Sequence, residues 1–174
     1  MTKKALFIIA QQGYQPVEYQ TPKTILENNK IEVITASKNA GTCTASDNTQ
    51  TEATISISDL NVSDYDAIVF IGGPGATTYQ HDIQAHLTAQ EAVNRNKLLA
   101  AICIAPTILA YARTLVGKKA TVWNQDGKQQ AILEKNQATF IDQPVVVDGS
   151  IITANGPSAA AEFGNAILNK LKGK

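Results

Sequence analysis

The sequence predicts an α/β fold: a mostly parallel sheet with helices on both faces and a nucleophile elbow after one strand. Largely apolar runs at residues 5–10, 66–71 and 98–102 lack the polar alternation of a half-exposed strand, as expected for strands buried on both faces. Segments of helical character separate these runs, which is typical of a parallel sheet with crossover helices. The third run stops at a lone cysteine, Cys103, that has an alanine two positions to either side.

Predicted strands and helices alternate along the chain. The strands are at residues 5–10, 31–36, 66–71, 98–102, 120–123, 139–141, 145–147 and 151–153, and residues 41–57 form an irregular hairpin. One helix begins near Pro16, and four further helices occupy residues 83–93, 106–112, 126–135 and 159–171. The prediction also includes a polar loop at residues 11–15 and a hairpin turn at Asp148-Gly149. Ser158 is predicted to be the N-cap of the last helix. Because parallel sheets bind ligands beyond the carboxyl ends of their strands, the loops there are the candidate site.

Length and composition indicate a single domain, residues 1–174, and disfavour several classes of function. The 15 basic residues equal the acidic residues in number and form no basic run, so we expect no nucleic-acid partner. The first apolar run is too short for a signal peptide or a membrane span, so we expect no membrane partner. The two cysteines make no disulfide framework, which favours a reducing, cytoplasmic setting. His81 and His86 lack metal-ligand spacing, and residues 72–75 lack phosphate-loop spacing, so we expect neither metal nor cofactor.

Cys103 is the first candidate catalytic residue. Small residues two positions before and after it suit the sharp strand-to-helix turn of a nucleophile elbow. The N-terminus of the following helix is expected to stabilise the thiolate and lower the thiol pKa. The alternative is a buried cysteine that fills a gap in the core. Cys43, in a Thr-rich stretch, is interpreted as a half-buried strand residue or a surface thiol.

Two further loops after strands carry candidate chemistry. Glu18 follows the first strand, and a protonated carboxyl there would donate a hydrogen bond to a neighbouring thiolate. The alternative is a solvated glutamate that the helix dipole favours in a first turn. In the glycine loop, GGPGA at residues 72–76, Gly73 and Gly75 are candidate oxyanion donors together with the amide of Ile104. The alternative for this loop is a tight turn with no other role.

Three more residues are candidates for the walls of a pocket. Trp123 ends a predicted strand, and it either walls a pocket or fills core volume. His81 follows the glycine loop closely, although a surface position is the simpler interpretation. Asn155 lies just beyond the last predicted strand, in the segment TANGP at residues 153–157.

These residues resemble the PfpI and parkinsonism-associated deglycase (DJ-1/PfpI) superfamily. The motifs that carry the resemblance are Glu18, GGPGA at residues 72–76, AICIAP at residues 101–106 and TANGP at residues 153–157, in that order over nearly the whole chain. The resemblance implies a flavodoxin-like three-layer sandwich that usually forms a homodimer. It also implies that Cys103 is the reactive thiol, that Glu18 is its carboxyl partner, and that the glycine loop and the Ile104 amide form an oxyanion pocket.

The chain departs from the best-defined branches of that superfamily. PfpI-type peptidases carry a histidine directly after the cysteine, where this chain has Ile104. Deglycase-type members carry a histidine after the next strand, at the position that corresponds to Trp123. Isocyanide-hydrating relatives carry an aspartate in place of Glu18 and a threonine after the cysteine. The sequence is therefore closest to a microbial branch, and a Cys-His pair for peptide hydrolysis is absent from the motif.

The sequence leaves two classes of function open. In the first, Cys103 adds to a reactive aldehyde such as a 2-oxoaldehyde and Glu18 transfers a proton, which predicts glyoxalase- or deglycase-like detoxification in a stress response. In the second, the protein is a redox sensor or holdase chaperone whose Cys103 is oxidised to sulfinic acid. An amidase or peptidase is a minor alternative.

Overall fold

A computed structural model describes residues 2–173. Within that range the strands are β1 Lys4–Ile8, β2 Gln12–Tyr14, β3 Glu32–Ser37, β4 Gly41–Ala45, β5 Gln50–Ala53, β6 Ile55–Ser56, β7 Ala67–Phe70, β8 Leu98–Ile102, β9 Lys119–Ala120, β10 Thr139–Phe140, β11 Val145–Asp148 and β12 Ile151–Ala154. The α-helices are α1 Pro16–Asn28, α2 Ile83–Asn94, α3 Pro106–Tyr111, α4 Lys128–Lys135 and α5 Ala160–Leu171. Shorter 3₁₀ turns are at Val62–Asp64, Pro74–Tyr79 and Pro157–Ala159.

The central sheet confirms the predicted fold class. Its seven strands lie in the order β11-β12-β8-β7-β1-β3-β6, and every neighbouring pair except β11 and β12 is parallel. Helices flank this sheet, with α1 packed against α5 and α2 packed against α3. Because β8, β7 and β1 lie side by side, the loops after their carboxyl ends meet at one edge.

The strands that hold these loops are buried on both faces. Every side chain of β7 and β8 is buried, and so is every side chain of β1 after Lys4. Burial of one Leu, Ile or Phe side chain contributes about 1.5–3 kcal/mol, so these strands form the rigid centre of the core. None of the helices within residues 2–173 has the length and apolar character that crossing a bilayer requires.

Two stretches near the candidate site differ from the sequence prediction. The predicted polar loop at residues 11–15 contains β2, which pairs in parallel with β4 in a separate sheet of order β2-β4-β5. The predicted strand at residues 120–123 is shorter, because β9 ends at Ala120 and the chain then turns towards the elbow. There the amide of Trp123 donates to the carbonyl oxygen of Cys103 at 2.8 Å.

The start of the last helix also differs from the prediction. Ser158 does not cap α5, because Pro157 begins a 3₁₀ turn that leads directly into the helix. The cap residue is Ala159, which makes no side-chain hydrogen bond to the helix. Glu162 lies in the first turn of α5, as predicted.

Candidate active site

Cys103 occupies a strained turn between β8 and α3. Its φ of 65° lies in the left-handed region, which costs a residue other than glycine about 1–2 kcal/mol. Two hydrogen bonds hold the turn: the Cys103 amide donates to the Ala154 carbonyl at 2.8 Å, and the Cys103 carbonyl accepts from Trp123. Strain that the surrounding structure maintains in this way is concentrated at functional sites. The side chain is half-buried, so its thiol is within reach of a ligand.

Glu18 lies fully buried in the first turn of α1, at 0% exposure, so the interpretation as a solvated glutamate is wrong. Its Oε2 accepts a hydrogen bond from the Gly72 amide at 3.0 Å. Its Oε1 is buried and has no hydrogen bond of normal geometry within residues 2–173. Burial raises the pKa of Glu18 to about 7, although interactions with the Cys103 thiol and the Gly72 amide oppose the shift. The carboxyl can therefore gain or lose a proton near neutral pH.

The Cys103 thiol is coupled to that carboxyl. Burial raises the pKa of the Cys103 thiol, and the charge of an ionised Glu18 raises it further. The backbone amides of Gly73 and Ile104 act in the opposite direction by hydrogen bonding to the sulfur. The expectation that the N-terminus of the helix lowers the pKa of this thiol is therefore wrong, because burial raises it. Since the two groups interact strongly, they titrate as a pair, and near neutral pH the pair holds one proton or two.

The glycine loop brings backbone against this pair, but its glycines have different roles. Gly73 has a φ of 102°, and its amide faces the Cys103 sulfur. Gly75 does not line the site, contrary to the prediction that it is an oxyanion donor. A Cβ on Gly75 would collide with the Gln12 carbonyl oxygen, so this glycine packs the loop against β2. Gly73 and Ile104 remain as the donors next to the sulfur.

Gly72 separates the two reactive side chains. A Cβ at this position would lie 2.6 Å from Cys103 Cβ and 2.7 Å from the Ile102 carbonyl oxygen, and it would also meet the Glu18 carboxyl. Backbone cannot yield as a flexible side chain can, so we expect Gly72→Ala to lower the free energy of unfolding by about 2–3 kcal/mol. Urea denaturation measures this change.

The control for that substitution is Gly117→Ala. Gly117 has a φ of 71° but nothing within 4 Å of an added Cβ, so its cost is the left-handed backbone alone, about 1 kcal/mol. Equal losses in the two variants would show that space at Gly72 does not matter.

A largely apolar cavity of about 440 Å³ opens beside the Cys103 thiol. Its lining consists of Gln15, Glu18, Gly73, Pro74, Thr77, Cys103, Ile104, Trp123, Gln129 and Pro157. The titratable members of this lining are Glu18 and Cys103. Trp123 walls the cavity, which decides between the two interpretations of this residue. The sequence prediction missed Gln129, because a glutamine in a polar helix gives no sign that it faces a pocket.

The other predicted pocket residues lie elsewhere. His81 is exposed, and its ring contacts the Tyr111 ring at a centroid distance of 4.5 Å with the two planes tilted by 56°. Asn155 lines a neighbouring polar cleft of about 430 Å³ that shares Trp123 with the cavity. Cys43 is fully buried in β4 rather than half-buried or at the surface. Across residues 2–173, the His, Cys, Asp and Glu side chains make no group of three or more that could bind a metal ion.

Comparison with known proteins places the chain among relatives that match it over its length. The model of the DJ-1/PfpI family matches residues 3–170. An uncharacterised protein of Methanocaldococcus jannaschii is 35% identical over 170 residues, which cover 97% of this chain and 82% of that protein. Protein dj-1beta of Drosophila melanogaster is 32% identical over 178 residues, which cover 100% of this chain and 92% of that protein. The crystal structure of a ThiJ/PfpI domain protein from Brachyspira murdochii has a TM-score of 0.95 at 27% identity, covering 99% of this chain and 98% of that one.

Proposed function

Since the chain belongs to the DJ-1/PfpI family, we propose that it is a cysteine-dependent enzyme that converts reactive 2-oxoaldehydes into 2-hydroxy acids. The observation that carries the proposal is the contact between Cys103 and a buried carboxyl, Glu18, beside an apolar cavity. A carboxyl with a pKa of about 7 suits proton transfer at neutral pH, because general acid–base groups work best near the ambient pH.

The first step forms a covalent adduct on Cys103. The sulfur attacks the aldehyde carbon, a C–S bond forms, and the carbonyl π bond breaks. The aldehyde oxygen takes up the proton that the Cys103–Glu18 pair holds, which gives a hemithioacetal. The amides of Gly73 and Ile104, which lie near the sulfur, can support the negative charge that develops on the aldehyde oxygen.

The second step moves hydrogen between the two carbons. Glu18, now ionised, removes the proton from the former aldehyde carbon and returns it to the neighbouring carbon. The proton of the hemithioacetal hydroxyl moves to the oxygen of that neighbouring carbon, so the hemithioacetal becomes a thioester. One carbon is oxidised and its neighbour is reduced, so no external oxidant or reductant enters. Water then hydrolyses the thioester, releases the 2-hydroxy acid and restores the thiol. The overall reaction adds one water to the 2-oxoaldehyde.

The lining of the cavity favours this chemistry over peptide hydrolysis. A cysteine peptidase needs an imidazole next to the thiol, and the lining described above contains no histidine among residues 2–173. His81, exposed and in contact with the Tyr111 ring, is not in that lining. Within residues 2–173, the amidase or peptidase alternative therefore has no imidazole in this lining to act as its base.

A redox-sensing role is the second candidate function. The amides of Gly73 and Ile104 at the Cys103 sulfur support it, because they would hydrogen bond to the oxygens of a sulfinate. Each of the two oxidation steps consumes one equivalent of peroxide, so the thiol reacts once rather than turning over. Repeated conversion of substrate thus separates the enzyme from the sensor.

We propose a homodimer in the cytoplasm, acting on a small reactive aldehyde. The family resemblance supports the dimer. The two free cysteines, Cys43 and Cys103, support a reducing compartment.

The test is product formation from methylglyoxal. We expect folded protein to release many equivalents of lactate per chain at neutral pH. The control is heat-denatured protein, which keeps its thiols and lysine amines, and therefore its nonspecific reactivity towards aldehydes, but loses the site. Equal lactate formation by the folded and denatured samples would contradict the proposal.

A further inference from the structure

Gln129, in the first turn of α4, is a buried polar residue without a partner. Its side chain is 9% exposed and lines the cavity beside Cys103. Its Oε1 is buried and accepts no hydrogen bond from any group within residues 2–173. Buried polar atoms in folded proteins are nearly always paired, so an unpaired amide oxygen at the wall of a cavity requires an explanation. Rotation of the amide group about its terminal torsion, which is broad in glutamine, brings this oxygen to the cavity, where a ligand can supply the missing donor.

The side-chain oxygens of Gln15 and Thr77, which also line the cavity, are already engaged. The Gln15 Oε1 accepts from the Val17 amide at 3.1 Å, at the start of α1. The Thr77 hydroxyl donates to the Pro74 carbonyl at 2.9 Å. Apart from Glu18, Gln129 is thus the residue in the lining with a buried side-chain oxygen that has no hydrogen-bond partner within residues 2–173.

The size of the cavity also favours a ligand that extends to Gln129. Its volume of about 440 Å³ lies within the range of sites that enclose ligands much larger than methylglyoxal. Apolar walls from Trp123, Ile104 and Pro157 can pack against the carbon chain of such a ligand. A larger substrate that binds at Cys103 therefore has both the space and a reason to extend to Gln129.

We propose that Gln129 is a specificity-determining residue, and that the preferred substrate is a 2-oxoaldehyde whose chain carries hydroxyl groups, one of which donates to Gln129 Oε1. A 2-oxoaldehyde built of carbon, hydrogen and oxygen has only hydroxyl groups as strong hydrogen-bond donors. The inference rests on the proposed function, because it places the reacting carbonyl at Cys103. It identifies a class of sugar-derived dicarbonyl rather than the smallest 2-oxoaldehyde.

The experiment compares two probes, 3-deoxyglucosone and methylglyoxal, in wild-type protein and in Gln129→Met. Methionine keeps the length of the side chain and removes the amide. We expect wild-type protein to have the lower KM for 3-deoxyglucosone. In Gln129→Met, kcat/KM for 3-deoxyglucosone should fall about tenfold further than kcat/KM for methylglyoxal, mainly through KM. Such a selective loss is not expected from a merely structural role.

The matched control is Gln137→Met, which removes an exposed glutamine that binds Arg113 beyond α4 and does not line the cavity. It should leave the ratio of the two kcat/KM values unchanged. Equal losses for both probes in Gln129→Met, or no loss for either, would overturn the role of Gln129. If Gln129→Met does not fold, a wild-type KM for 3-deoxyglucosone at or above that for methylglyoxal overturns it instead. Failure of wild-type protein to convert either probe would reject the proposed function itself.

Discussion

Replacement of Cys103 by serine is expected to reduce lactate formation from methylglyoxal to the uncatalysed rate, a loss on the order of 10³-fold or more. Serine has nearly the same shape, so the left-handed turn and its hydrogen bonds to Ala154 and Trp123 should persist. Its hydroxyl is a weak nucleophile unless an adjacent strong base removes its proton. Glu18, with a pKa of about 7, is too weak a base for an alcohol. Lactate quantified against time measures the loss.

The matched control for this variant is Cys43→Ser. Cys43 is buried in β4 and does not line the cavity. A serine hydroxyl can accept from the Gln11 side chain and donate to the Gly41 carbonyl, as the thiol does at 3.5 Å and 3.7 Å. Cys43→Ser should therefore form lactate at close to the wild-type rate. If lactate formation survives in Cys103→Ser and disappears in Cys43→Ser, the nucleophile is Cys43 and the role proposed for Cys103 is wrong.

The central strands could be predicted from the sequence because their burial leaves a local signal. β8 has the bounds that its apolar run indicates, Leu98–Ile102, since both faces of the strand are covered and polar residues are excluded from it. β2 leaves no such signal. Its three residues, Gln12–Tyr14, form a strand because they pair with β4, some 30 residues later in the chain. Pairing with a distant segment is not visible in the local pattern.

The sequence likewise predicts some residues of the candidate site and not others. Cys103 and Glu18 could be proposed because each follows a buried strand, and the carboxyl ends of neighbouring parallel strands meet at one edge. The fine geometry depends on contacts between distant segments. Gly75 packs against β2, which the sequence did not indicate, and therefore does not act as a donor at the site. Gln129 reaches the cavity only because α4 packs on α3.

Substitution of Glu18 by glutamine is expected to change catalysis and stability in opposite directions. Glutamine can still accept from the Gly72 amide, but it cannot transfer a proton. We therefore expect kcat for methylglyoxal to fall about 10²- to 10⁴-fold. The same change removes a carboxyl whose ionisation burial opposes, so the folded state should gain stability wherever that carboxyl is charged.

The sign of the stability change follows from the pKa. The pKa of Glu18 rises from its ordinary value of 4.5 to about 7 in the folded protein, so the folded state binds the proton more tightly than the unfolded chain. Wild-type stability should then fall as pH increases between these two values, and above pH 7 the full cost is present, about 3 kcal/mol. Because Glu18→Gln does not titrate, its advantage over wild type should be about 2–3 kcal/mol larger at pH 8 than at pH 5.

Urea denaturation of wild-type and Glu18→Gln protein at these two pH values measures this difference. The control is Glu162→Gln, which removes an exposed glutamate from the first turn of α5. That change should shift stability by no more than about 0.5 kcal/mol, because the side chain is solvated in both states. If Glu18→Gln and wild type differ by the same amount at both pH values, then the Glu18 carboxyl does not hold its proton near neutrality. In that case Glu18 has no proton to transfer near neutral pH, and the role assigned to it is wrong.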